Sequence, residues 1–271
     1  MSSYNHHRAT DSRTRMFRNI ANKLIALYLF PLRTNIRLLH YVKGIFFTSG
    51  VEHLYWSARY IKRHGPVPPD SIIIDVGGFD GGTSLYLATE FKDHTIYCIE
   101  PNARIWSTLD RATATHKTIR IKKIALGKKK GSAVLHVTAN NVSSSLNEIS
   151  AQEVAQTPST FQASFKEEDK ATVEVSTLDD EFKDSPAVLL IKLDTQGTEL
   201  DVLNGGIQML KRTRFVLTEM DNHHLYKNTC QYYEVDDFLR SRCFRLVDII
   251  VSYRGDDGMA EFDALYENMN L

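Results

Sequence analysis

The chain has 271 residues, enough for one large domain with an extension and a sizeable core. Apolar residues make up 42% and charged residues 24%, a globular composition that excludes a disordered chain or a membrane-embedded one. Lys plus Arg and Asp plus Glu both number 33, so overall charge points to no nucleic acid or acidic partner.

Charge is uneven at the start. Residues 1–51 hold eight basic side chains (Arg8, Arg13, Arg15, Arg18, Lys23, Arg33, Arg37 and Lys43) against one acid, Asp11. Helical spacing of Ile20, Leu24, Leu27 and Tyr28, and again of Ile36, Leu39 and Val42, predicts two or three helices between Thr14 and His64. The plainest reading of these helices is a solvated packing extension. Peripheral contact of residues 1–64 with an anionic membrane surface, or a homo-oligomer interface, are the alternatives. The proline-rich stretch at 64–70 marks the expected boundary. It divides a basic helical extension, residues 1–65, from a second domain, residues 66–271. Three cysteines with no zinc spacing and a polar N-terminus without a secretory pattern predict a reducing, cytoplasmic setting.

From residue 71 strands and helices alternate. Ser71 to Val76 is a continuous apolar run, as expected of a parallel strand covered on both faces. A helix over Thr83 to Phe91, a strand over Thr95 to Ile99, a helix over Asn102 to Thr115 and a strand over Thr118 to Ile124 follow. An insertion at about 127–176 holds two strands, Ser132 to Thr138 and Thr172 to Ser176, and is expected near the mouth of the site. Val188 to Leu193 is the next buried strand, and Leu200, Leu203, Ile207 and Leu210 form one stripe of the helix after it. Arg214 to Glu219 is a strand and Tyr232 to Ser241 a helix. The last two strands, Phe244 to Tyr253 and Met259 to Tyr266, are joined by five residues and must pair antiparallel. The predicted fold is a doubly wound, Rossmann-like α/β sheet, mostly parallel, with an antiparallel C-terminal hairpin.

Ligands of such sheets bind at the carboxyl ends of the strands. After the first strand stands Asp75-Val-Gly-Gly-Phe-Asp-Gly-Gly-Thr83, a glycine turn that opens a helix, with Asp75, Gly77, Gly78, Gly81 and Thr83 as candidate cofactor residues. After the second stands Glu100-Pro-Asn102, the place for a carboxylate to accept both hydroxyls of a ribose. Phe79 occupies the middle glycine position of a dinucleotide fingerprint, which counts against a nicotinamide-dependent oxidoreductase. Asp75, Gly77 and Gly81 spell D-x-G-x-x-x-G, the form used by methyltransferases that take S-adenosyl-L-methionine. A non-catalytic module that keeps the cofactor fold is a further alternative. Asp194 closes the strand at 188–193, with Lys192 on the same side. His223 and His224 follow the next strand, as candidate bases for a hydroxyl proton. A divalent ion on Asp194, Asp221 and Asn222 is a second way to lower a hydroxyl's pKa.

The segments IDVGGFDGGTSL, IEPNA, IALG, SSSL, VSTLDDEF, IKLDTQGTELDVLNGG and VLTEM occur in the order seen in the FkbM family of S-adenosylmethionine-dependent methyltransferases, and the chain resembles that family from about Ser71 to Met220. The resemblance implies O-methylation of a hydroxyl on a sugar, glycan or related natural product. It implies that Asp75, Gly77, Gly81 and Glu100 contact the cofactor, that Ala125 lies near its adenine, and that Asp194 and Glu199 line the reaction centre. Gln196 departs from the family, where many members carry glutamate. A small-molecule or glycan acceptor is the expected partner, and nucleic acid is not.

Overall fold

The computed structural model describes residues 52–64, 68, 70–157, 162–222, 224–255 and 258–271. The helices expected within residues 1–51, with their membrane or oligomer contacts, lie outside the described residues, as does His223. Among the described residues no helix is long and apolar enough to cross a membrane.

A helix, α1 (Glu52–His64), precedes the sheet. Then come β1 (Ile72–Val76), α2 (Gly82–Glu90), β2 (Thr95–Ile99), α3 (Trp106–Thr113) and β3 (Ile119–Lys122). The middle of the chain gives β4 (Ala125–Leu126), β5 (Gly131–Thr138), α4 (Ala151–Val154), a 3₁₀ turn (Ala163–Phe165), β6 (Glu167–Ser176) and α5 (Leu178–Glu181). The remainder is β7 (Val188–Leu193), α6 (Glu199–Asn204), α7 (Ile207–Leu210), β8 (Thr213–Asp221), α8 (Tyr232–Arg240), β9 (Phe244–Gly255) and β10 (Gly258–Asn268).

Seven strands form one sheet in the order β3-β2-β1-β7-β8-β10-β9. The first five in that order pair parallel, and β10 lies antiparallel between β8 and β9. The expected fold class is the observed one. Every residue of β1 and β7 is buried, which is why both read as unbroken apolar runs. Ile74, Val76, Ile191, Leu193, Val202 and Leu203 belong to the main core between sheet and helices.

The chain leaves β1 toward β2 and β3 on one side and returns through β7 toward β8 on the other. A crevice therefore opens at the carboxyl ends of β1 and β7, where the winding reverses. The insertion does not join the main sheet. Its strands β5 and β6 join β4, just before it in the chain, in a second sheet of order β4-β6-β5.

One expected helix is in fact two. The stripe from Leu200 to Leu210 is interrupted at Gly205-Gly206, where α6 ends and α7 begins. A Cβ on Gly205 would sit 2.1 Å from the Gly127 carbonyl oxygen, and one on Gly206 would sit 2.7 Å from Leu178 Cδ1. The glycines thus bring this connection against Gly127 at the start of the insertion and Leu178 just after its end, and periodicity alone does not report those contacts.

Candidate active site

The turn after β1 is built around a close approach. Gly77 has φ +82°, and a Cβ there would lie 1.8 Å from the main-chain oxygen of Asp194. Any side chain would therefore push apart the ends of β1 and β7. The amides of Gly77 and Gly78 both donate to the Ile99 carbonyl at 3.0 Å, which ties the turn to β2 as well. The glycines expected to make room for a ligand mainly make room for protein. Their backbones nonetheless face the crevice.

That crevice is a cleft of about 910 Å³, partly open to solvent. Its walls change character along its length. Ile99, Pro101, Ile124, Ala125, Leu126 and Leu135 make one region apolar. Asp194, Thr195, Gln196 and Thr198 make another polar, and Glu100 and the Gly77-Gly78 backbone complete the lining. From the insertion, Asn141, Val142 and the serines at 144 and 145 add a wall that the sequence predicts only in general terms. The SSSL motif carried that signal, but nothing in it named a partner.

Glu100 follows β2 and is 7% exposed. Its Oε2 accepts from the Phe79 amide at 2.9 Å and its Oε1 from the Asn102 amide at 2.7 Å. These two bonds fix the carboxylate, and each oxygen keeps a lone pair for a further donor. Burial pushes its pKa up to about 7, against the lowering effect of the two amides.

At the end of β7, Lys192 is buried and donates to Asp194 Oδ2 at 2.7 Å. Its ammonium does not reach for water but is held by this carboxylate. The other oxygen, Oδ1, accepts from Gln196 Nε2 at 3.1 Å, and the same nitrogen donates to Glu219 Oε2 at 2.6 Å. Burial opposes ionisation of Asp194, yet the Lys192 charge and these bonds prevail and hold its pKa at about 2.

The predicted residues divide. Gly77, Gly78, Thr83, Glu100, Ala125 and Asp194 line the cleft. Asp75, Gly81, Asn102, Glu199 and His224 do not. Asp75 is fully buried beneath the turn, where Oδ2 accepts from Ser84 Oγ at 2.6 Å and clamps β1 to α2. Gly81 supplies the left-handed residue (φ +88°) before α2 and packs beside Leu109. Asn102 donates its amide to Asn141 Oδ1 at 3.2 Å, tying the β2 loop to the insertion. Glu199 folds back on the loop before its own helix, accepting from the Thr195 amide at 2.7 Å and the Thr195 hydroxyl at 2.9 Å. His224 is exposed, with Nδ1 3.2 Å from Gln231 Nε2. The amide of Asn222 is spent on the Met259 carbonyl at 3.0 Å, and among the described residues no group of three His, Cys, Asp or Glu side chains has metal-holding geometry.

Residues 69–246 match the methyltransferase FkbM domain family, more than half of the chain. The chain belongs to that family. Two relatives are similar over comparable stretches. 2-O-methyltransferase NoeI of Sinorhizobium fredii is 26% identical over 184 residues, which cover 66% of this chain and 74% of that protein. Methyltransferase 1 of Beauveria bassiana is 27% identical over 149 residues, which cover 52% of this chain and 60% of that protein. Among solved structures, methyltransferase FkbM from Methylobacillus flagellatus is 17% identical with a TM-score of 0.45, over 76% of this chain and 46% of that one.

The cofactor of this FkbM methyltransferase is S-adenosylmethionine. The donor set of the cleft fits it. A buried carboxylate with spare lone pairs suits a ribose diol, an apolar wall suits an adenine ring, and a polar region with Asp194 and threonine side chains suits an amino-acid group.

Proposed function

We propose that this FkbM methyltransferase transfers a methyl group to a hydroxyl oxygen of a sugar, a glycan or a related polyhydroxyl compound. The observation that carries the reading is the cleft at the β1/β7 reversal, apolar in one region and carboxylate- and hydroxyl-lined in another, with Glu100 fixed on its wall. Oxygen as the acceptor atom rests on the similarity to NoeI, whose name describes it as a 2-O-methyltransferase.

In this reading Glu100 holds the ribose hydroxyls. The Gly77-Gly78 backbone and Thr83 lie along the cofactor, and Ala125 and Leu126 pack against its base. The bound cofactor supplies an activated methyl group on a positively charged sulfur. The chain supplies alignment of the acceptor oxygen with that methyl carbon, the contribution from which most acceleration of a displacement can come. The serine-bearing wall at 144–145 and the polar residues Asp194, Thr195, Gln196 and Thr198 exclude bulk water from the reacting end. A reducing cytoplasmic setting accords with three cysteines that are all free.

The test is incubation of the full chain with methyl-labelled S-adenosylmethionine and fractionated glycans, followed by mass spectrometry of the labelled product. Label on a hydroxyl oxygen supports the proposal. Label on nitrogen or carbon, or heat of binding with NADH and none with S-adenosylmethionine, overturns it.

A further inference from the structure

Gln196, on the wall of the cofactor cleft, is bonded to Glu219, which lines a second opening. On one side is the cofactor cleft. On the other is a narrow crevice with room for little more than a water molecule, lined among others by Glu219, Asp221, Thr229 and Tyr232 at the carboxyl end of β8. Gln196 holds φ +58°, a left-handed conformation unusual for a side chain of its size. Its neighbours secure it there from every direction. Tyr226 donates to its Oε1 at 2.7 Å, Ser145 Oγ donates to its main-chain oxygen at 2.7 Å, and its Nε2 bonds Asp194 and Glu219. Backbone strain of this kind persists where the surroundings over-determine it, and it gathers at active sites.

The two carboxylates that share this amide are not equivalent. Asp194 has both oxygens engaged, one by the buried Lys192 ammonium and one by Gln196. A proton arriving there would have to displace an ion pair. Glu219 accepts from Gln196 through Oε2 and also meets the Asp194 carboxyl, and among the described residues no amide or hydroxyl donates to Oε1. It also lines the narrow crevice at the end of β8, on the far side of Gln196 from the cofactor cleft.

We propose that Glu219, through Oε1, takes the proton of the acceptor hydroxyl, with Gln196 and Asp194 as the positioning residues that aim it. This rests on oxygen being the methylated atom. As the hydroxyl oxygen's lone pair forms the bond to the methyl carbon, the carbon–sulfur electron pair leaves with sulfur, and the hydroxyl proton moves to Glu219.

The surrounding charges agree with this role. Burial, together with Asp194 just after β7, Glu261 and Asp263 on β10 and Asp221 on β8, pushes Glu219 well above the usual carboxylate range. Lys192 is the cation that faces the group from β7. Two coupled carboxyls whose surroundings separate their proton affinities are the pattern of an anion and a proton carrier. A cation in the polar region of the cleft lies one glutamine side chain away and favours the ionised, proton-accepting form of Glu219. Binding of the sulfonium should therefore expel a proton that binding of its neutral product does not.

Calorimetric titration of the full chain near neutral pH, in two buffers of different ionisation enthalpy, measures this directly. S-adenosylmethionine should release more protons than S-adenosylhomocysteine, and Glu219→Gln should abolish the difference. With the labelled glycan fraction as acceptor, Glu219→Gln should lower kcat by about 10²-fold or more, leave cofactor Kd within about twofold, and remove the acidic limb of the pH profile, while Glu219→Asp restores part of the rate. An unchanged difference in proton release, or an unchanged acidic limb in Glu219→Gln, overturns the proposal even with methyl on oxygen. Label on nitrogen or carbon instead removes the hydroxyl reading, and the calorimetric difference still reports whether Glu219 faces the cofactor's charge.

Discussion

Lys192 and Asp194 form an ion pair at 2.7 Å in which the lysine is buried and the aspartate stands on the wall of the cofactor cleft. Removing the cation leaves the carboxylate without its main compensation, the costly way to break a buried pair. Lys192→Met should destabilise the protein by about 3 kcal/mol, the low end for such pairs because the aspartate side chain is still about a third exposed. The pair also sets a pH limit. Asp194 has its folded pKa depressed to about 2, so its contribution is present above the unfolded carboxylate pKa and is lost as pH falls from about 4 toward 2. Thermal melts of wild type and Lys192→Met between pH 7 and 2 should draw together at the acid end. Parallel curves over that range would show that the pair adds nothing.

Glu100 has the opposite sign. Its folded pKa is raised to about 7, so the folded protein holds a proton that the unfolded chain gives up, and stability falls as pH rises from about 4.5 to 7. Glu100→Gln should then make the unliganded protein more stable at pH 8, by up to about 3 kcal/mol, because each tenfold difference in proton affinity between folded and unfolded chain is worth about 1.4 kcal/mol. The same substitution should weaken cofactor binding at least tenfold. In wild type, where the ionised carboxylate is the form suited to accept two hydroxyls, cofactor Kd should rise as pH drops below about 7. Calorimetry and denaturant melts on the same pair of proteins check both halves. A Glu100→Gln variant that is less stable and still binds would remove Glu100 from the site.

Glycine at position 77 answers to protein packing. With φ +82° and a hypothetical Cβ 1.8 Å from the Asp194 oxygen, Gly77→Ala should cost several kcal/mol, or prevent folding, by separating β1 from β7. Gly131 has nothing within 4 Å of its Cβ position, so Gly131→Ala should stay within about 0.5 kcal/mol of wild type. Melting temperatures of the two variants provide the contrast, and equal effects would refute the packing argument.

Sequence patterns reported the sheet well because its signals are local. Ile72 to Val76 and Val188 to Leu193 are buried on both faces and read as such, and the five-residue link before Met259 forces a hairpin whatever surrounds it. Glu100 could be placed because strand ends carry the site in any doubly wound sheet. What the sequence could not report is contact across distant segments. Asp75 and Glu199 occupy motif positions next to the cleft, yet their side chains turn to Ser84 and to the Thr195–Gly197 loop, and neither choice is encoded in spacing. Gln196 and Glu219 lie 23 positions apart and meet only after β7 and β8 pair.

His224 should prove dispensable. It is exposed, it lies outside the cleft, and its ring bonds Gln231. His224→Ala should retain methyl transfer within about twofold and change stability by less than about 0.5 kcal/mol, as surface substitutions do. A loss of rate without loss of cofactor binding would return this histidine to the acceptor side of the reaction.

Glu199 acts through the loop it holds. Its carboxylate gathers the Thr195 amide, the Thr195 hydroxyl and the Gly197 amide, the last at 3.1 Å, and so shapes residues 194–198, four of which line the cleft. Glu199→Ala leaves those donors unsatisfied and should cost about 1–3 kcal/mol, the penalty of orphaned buried groups. Because the loop also carries Asp194 and Gln196, cofactor affinity should fall along with stability. Glu199→Gln keeps one acceptor oxygen and should recover most of both. A direct role in proton transfer would instead make Glu199→Gln as slow as Glu199→Ala while both still bound cofactor, an outcome that stopped-flow mixing and calorimetry on the two variants would separate from loss of the loop.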